Sequence, residues 1–183
     1  MFSSADPIDA ADLTQPPLRA ALALWRRAAG GAALPLVGAL DLAAIDRTLL
    51  PNLALVAGPA DGHGRLFGLF MGSAAAIATG RDITGRFLDE VYPPALYDTA
   101  HRFLLAVAHG RAPVYEEFAA GPDAGRTVQA AWLGLPLAGP DGAVSRILLA
   151  LDYRPSVPAV AAGVRVLQDR SRLHRHTVRP VRL

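Results

Sequence analysis

The chain has 183 residues, 52% of them hydrophobic, which suffices for one ordinary domain with its own core. Cysteine is absent, so disulfides, thiol catalysis and Cys-based zinc sites are excluded. All 18 basic residues are Arg and their distribution is uneven: residues 154–183 carry seven Arg against Asp169, a net +6, whereas residues 1–153 carry eleven Arg against fifteen acids, a net −4.

The longest uncharged stretches, 66–80 and 127–140, fall short of the roughly 18 apolar residues a membrane span needs, and Gly or Pro interrupts both. The opening residues carry Asp6, Asp9 and Asp12 and do not read as a secretory signal. A soluble cytoplasmic protein that does not engage a membrane is the expectation.

Residues 1–16, acidic and bounded by Pro16-Pro17, are expected to be disordered. Residues 17–29 read as a helix, because Leu18, Leu22, Trp25 and Ala29 recur at spacings of four, three and four and Gly30-Gly31 ends the run. A second short helix is expected from Asp41, with Leu42, Ile45 and Leu49 inward and Pro51 as its stop.

The period then changes. Residues 53–58 and 65–72 read as strands joined through the Asp61-Gly62 turn. An Ala-rich helix follows over 73–79, stopped by Gly80, then a capped helical turn over 82–91 with Asp82 or Thr84 as cap. Pro93-Pro94 opens a longer helix, 94–109, ended by Gly110. Three strands close the domain, 113–119, 127–137 and 143–153, separated by the Gly-rich turns 121–125 and 139–142. Two strands, a helical block and a three-strand meander describe an α+β domain: a five-stranded antiparallel sheet with short helices on one face.

The order and the residues resemble a family of small, often stand-alone bacterial PAS-like proteins. The resemblance rests on Gly72-Ser73, on Gly80-Arg81-Asp82-Ile83-Thr84-Gly85-Arg86-Phe87, on Leu49-Leu50-Pro51-Asn52-Leu53, and on Leu135-Pro136-Leu137 followed by Asp141-Gly142. It covers residues 34–153, leaving an N-terminal segment with a flanking helix, 1–33, and a basic C-terminal extension, 154–183. The chain departs from the family where Ala57-Gly58 replaces a common Asp and where no Arg stands near Leu69. The resemblance implies a sensory or regulatory module rather than an enzyme. Its output would be contact with an unidentified signalling protein, and a small hydrophobic ligand between sheet and helices is compatible with it.

Strand alternation supplies the expected pocket: Phe67, Leu69 and Met71 on the second strand, Trp132 on the fourth and Leu149 on the fifth, met by Ile77, Phe103 and Val107 from the helices. The bland alternative is an ordinary filled core. Leu133, Leu135 and Leu137 point to the reverse face, which must therefore be covered by helix 17–29 through Leu18, Leu22 and Trp25, in the same subunit or across a homodimer.

Haem needs an axial His, and His101 and His109 fall outside the apolar stripe of helix 94–109. Flavin adduct chemistry needs a Cys after Gly80-Arg81-Asp82, where Ile83 stands. Neither cofactor is supported. His174-Arg175-His176 without a carboxylate cluster is a weak metal pair, so no metal is expected. Glu116-Glu117 point to opposite sheet faces, with a place at the sheet edge preferred for the inward one. Gly80, Arg81, Asp82, Thr84 and Gly85 read as a structural joint as readily as a functional motif.

The basic tail reads as a solvated terminal helix with a frayed end, and nucleic acid is not favoured because no aromatic interleaves with its Arg. Two alternatives remain open. One is an interaction adaptor with a filled core and a tail that binds an acidic partner or nucleic acid. The other is a small enzyme of the nuclear-transport-factor-like kind.

Overall fold

The computed structural model describes residues 6–41, 45–58, 65–123, 126–155 and 172–183. Several expectations fall outside the described residues: the helix start after Asp41, the Asp61-Gly62 turn, part of the turn 121–125, and the tail around Asp169. The side chains of His174 and His176 also lie outside them.

In chain order the elements are β1 (Ile8–Asp9), α1 (Pro16–Ala29), β2 (Leu53–Ala57), β3 (Phe67–Met71), α2 (Ser73–Thr79), β4 (Arg86–Phe87), α3 (Leu88–Val91), α4 (Pro94–Gly110), β5 (Val114–Asp123), β6 (Arg126–Ala138), β7 (Val144–Pro155) and β8 (Arg172–Arg182). The strands form one sheet in the order β1-β8-β5-β6-β7-β2-β3-β4. The five expected strands lie together as β5-β6-β7-β2-β3 and every neighbouring pair among them is antiparallel.

The expected strand number is corrected from five to eight. β4 extends one edge by two residues, and β8 with β1 extends the other. The reading of the tail as a solvated helix fails for residues 172–182, which pair along β5 from Gly121 to Val114. Arg, His and Val alternate there without a helical apolar stripe, and a strand takes such a pattern readily. Pro180 stands inside this strand. The expected disorder of residues 1–16 is also corrected from Ile8 onward, since β1 pairs with Val181 and Arg182, and Leu13 and Gln15 are buried.

Local chemistry accounts for the joints. Gly142 takes φ 79° in the β6–β7 turn, where Asp141 Oδ1 accepts the Ala143 amide at 3.0 Å. Gly80 caps α2 with φ 69°, donating to the Ala76 and Ile77 carbonyls. The cap of α4 falls one residue later than expected, on Arg111 at φ 50°, whose guanidinium donates to the Gly142 carbonyl at 2.9 Å. Pro51 does not stop an α-helix. It sits inside a 3-10 turn, Leu50–Asn52, and Asn52 Nδ2 then donates to the Leu151 carbonyl at 3.0 Å, fixing the start of β2 against β7.

The sheet is covered on both faces. Helices α2, α3 and α4 lie on one. On the other, α1 packs across β6 and β7, burying Leu18, Leu22 and Trp25 against Leu133, Leu135 and Leu148. Trp25 Nε1 donates to the Pro136 carbonyl at 2.7 Å. The chain thus covers its own reverse face, and burial of three large side chains from α1 there contributes several kcal/mol, at about 1.5–3 kcal/mol each.

Candidate functional site

A small cavity lies between the sheet and the helical block. Its floor is Ala54 and Val56 of β2, Met71 of β3, Trp132 of β6, and Leu149, Leu151 and Tyr153 of β7. Its roof is Ile83, Leu88 and Tyr92 around α3, and Ala100, Phe103 and Leu104 of α4. The free volume is about 20 Å³, room for about one water molecule.

Register explains why these floor residues meet. Ala130 stands opposite Tyr153, Trp132 opposite Leu151 and Gly134 opposite Leu149, all on one face. The Trp132 indole is held edge-on between Phe118, at 4.9 Å, and Phe103, at 5.7 Å. At Gly134 there is no room for a side chain, because Val107 and Phe103 press onto its α-carbon and bring α4 down onto β6.

Two phenols supply the polarity. Trp132 Nε1 donates to Tyr153 Oη at 3.1 Å. Burial, with lesser contributions from Tyr92 and Glu116, pushes the Tyr153 hydroxyl well above its ordinary value. Burial, then the charge of Asp82, does the same to Tyr92. Both phenols stay protonated at ordinary pH and can donate to a guest. Glu116 is 1% exposed and stands opposite Trp132 in the ladder. Its expected position at the sheet edge is corrected, because β8 adds a further strand beyond β5.

Of the expected pocket residues, Met71, Phe103, Trp132 and Leu149 line the cavity. Phe67 is half-buried beyond it, edge-on to Phe87 at 5.1 Å. Val107 is fully buried against Gly134. Leu69 and Ile77 are corrected to the surface, at 36% and 74% exposure. Leu69 is the extra residue of a β-bulge: Leu55 pairs with Phe70 and Val56 with Gly68, so alternation reverses there and Gly68 and Met71 turn inward together. On α2 the small residues Ala75 and Ala78 face inward, because Gly72 abuts the backbone of Leu50 and Pro51, and Ile77 is left outside.

In the Gly80–Gly85 run, Asp82 and Thr84 do not cap a helix, the residue before α3 being Phe87. Asp82 Oδ1 accepts the Thr84 amide at 2.8 Å, Thr84 Oγ1 accepts the Met71 amide at 3.0 Å, and Gly85 at φ 73° donates to the Gly68 carbonyl at 2.8 Å. The run is a brace that lays Ile83 over the glycine gap at Gly68 and delivers the chain into β4. Arg65 fastens the next turn, stacking 3.9 Å from the Phe87 ring centroid and pairing with Asp89 at 2.6 Å and Glu90 at 2.9 Å.

His101 lies half-buried against the Tyr97 ring and His109 is exposed, both away from the cavity. Among the described residues no three His, Asp or Glu gather as a metal site would require. Tyr92, Ile83 and Tyr153 were missed by sequence reasoning. Tyr153 was within reach of it, since it shares the alternation of Leu149 and Leu151.

A three-strand meander, β5-β6-β7, whose last strand lies beside β2, roofed by short helices over a small enclosed space, defines a PAS-type fold. A model of the PAS domain matches residues 13–152, and the chain belongs to that family. The match includes α1 and displaces the nuclear-transport-factor-like alternative. No curated protein matches the chain. Among the described residues no helix is long and apolar enough to cross a membrane.

Proposed function

We propose that the protein is a non-catalytic sensory or regulatory module whose output is contact with a signalling protein, and that the cavity under α3 and α4 registers a small, mostly apolar ligand. The supporting observation is the Trp132–Tyr153 hydrogen bond in an otherwise apolar floor, with Tyr92 opposite. Catalysis finds little support, because the cavity lining holds no acid, His or paired nucleophile.

At about 20 Å³ the space is closed to anything larger than about one water. A guest must therefore lift α3, a single helical turn joined to α4 through extended Tyr92 and Pro93. That displacement would be the signal. The same volume supports a second reading, a filled-core module that works by interaction alone.

Native mass spectrometry of the purified protein, together with thermal unfolding in the presence of indole as probe, separates the two. A co-purifying mass lost on denaturation, or a rise in Tm with indole, supports ligand sensing. Neither effect, in the wild type and in a Leu149→Ala variant that widens the cavity, leaves the interaction reading alone.

A further inference from the structure

β8 runs for eleven residues. Among the described residues its outer side is paired only at Val181 and Arg182, by β1. A long open edge is a template for another extended chain.

Three observations bear on what would lie there. β8 carries Arg172, Arg175, Arg179 and Arg182 and no acid, while Glu117, opposite Thr177, is the exposed acid of the adjoining stretch of β5. The chain already seats an acidic segment on this edge: β1 pairs over two residues, and Asp9 Oδ1 lies 3.4 Å from Arg182 Nη1. The third observation is Pro180. The Val181 amide turns inward to the Pro113 carbonyl at 3.0 Å, so position 180 is one whose amide would turn outward, and proline has none to offer. Val178, the next such position, keeps its amide. A guest can therefore pair along 172–178, its register shifting at the bulge formed by His174, but not across 180. A second β8 laid on this edge would set a strand of Arg against a strand of Arg, which is destabilising.

We propose that the outer edge of β8, residues 172–178, captures an acidic segment of a partner protein as an added strand. The proposal rests on the reading of the protein as a module that acts through protein contacts, and it names the surface and the chemistry of the partner.

The test titrates the full chain with a short fluorescent peptide alternating Glu with Val, beside two copies N-methylated on alternate sets of backbone nitrogens. The parent peptide is expected to bind and to weaken with salt, and one methylated copy to lose binding at unchanged charge. Arg175→Glu with Arg179→Glu is expected to weaken binding by about tenfold or more, and Val178→Pro to abolish it.

Equal binding by both methylated peptides would reduce the edge to simple charge and overturn the proposal. Tighter binding of a single-stranded oligothymidylate would overturn it in favour of nucleic acid. Self-association abolished by Arg179→Glu would overturn it in favour of a second copy. If the peptide fails to bind while the indole response stands, only the edge proposal falls; the reverse outcome removes only the cavity reading.

Discussion

The Trp25 indole, 2% exposed, donates a 2.7 Å hydrogen bond to the Pro136 carbonyl, joining α1 to β6 near the end of that strand. Pro136 has no amide to give to the ladder, and its carbonyl is claimed from across the layer. Trp25→Phe keeps most of the ring and loses the bond, at an expected cost of about 1–2 kcal/mol. Trp25→Ala also empties the site and is expected to cost about 3–5 kcal/mol. Denaturant midpoints of the two variants against the wild type measure both steps, and a Trp25→Phe midpoint equal to that of the wild type would show that the bond contributes nothing.

Two glycines should respond differently to a methyl group. A side chain at Gly72 would drive into the carbonyls of Leu50 and Pro51, so Gly72→Ala is expected to destabilise by about 3 kcal/mol or more. Gly85 has open space but φ 73°, so Gly85→Ala carries only backbone strain of about 1–2 kcal/mol. Gly85→Asn should recover part of that, since Asn tolerates the left-handed region. Thermal unfolding of the three variants ranks them.

In the cavity, Tyr153→Phe strands the Trp132 indole N–H and is expected to cost about 1–2 kcal/mol. Leu149→Ala is expected to cost about 2–5 kcal/mol and to open space beside Trp132. With Trp25 replaced by Phe, Trp132 is the remaining indole, and its emission reports solvent entry into the widened space directly.

Acid should loosen the brace over the sheet edge. Hydrogen bonds from the Thr84 hydroxyl and amide hold the Asp82 carboxyl below the usual carboxylate range, and a hydrogen bond from Arg65 does so for Asp89. A depressed folded value contributes stability that is fully present above the unfolded pKa, roughly 3.9, and is lost as pH falls through the folded one. Asp82→Asn and Asp89→Asn are therefore expected to flatten the acid limb of a stability–pH curve while leaving its slope near neutrality unchanged. Urea midpoints across acid pH supply the comparison.

Much of the sheet was legible because alternation and turn chemistry agree along β5, β6 and β7. The Leu133, Leu135 and Leu137 series demanded a cover, and α1 supplies it. Leu69 misled because a bulge is a one-residue event with no composition of its own, yet it reverses every face beyond it. Ile77 misled because size was taken as a sign of burial, where close backbone approach selects Ala75 and Ala78 instead. β8 escaped because its stability lies in pairing with β5, a long-range fact that Arg and His patterning does not announce. Glu116 followed from that error, since where a sheet ends decides whether a carboxylate meets water.

The parallel pairing of Ile8 with Val181 and Asp9 with Arg182 brings the chain's first and last strands side by side, about 5 Å apart as neighbouring strands are. Because the two strands are parallel, a crossover of about a dozen residues, rather than a hairpin turn, would join residue 182 back to residue 8. Reopening the circle in the turn at 139–142 would leave every ladder unbroken, and new termini would then emerge between β6 and β7.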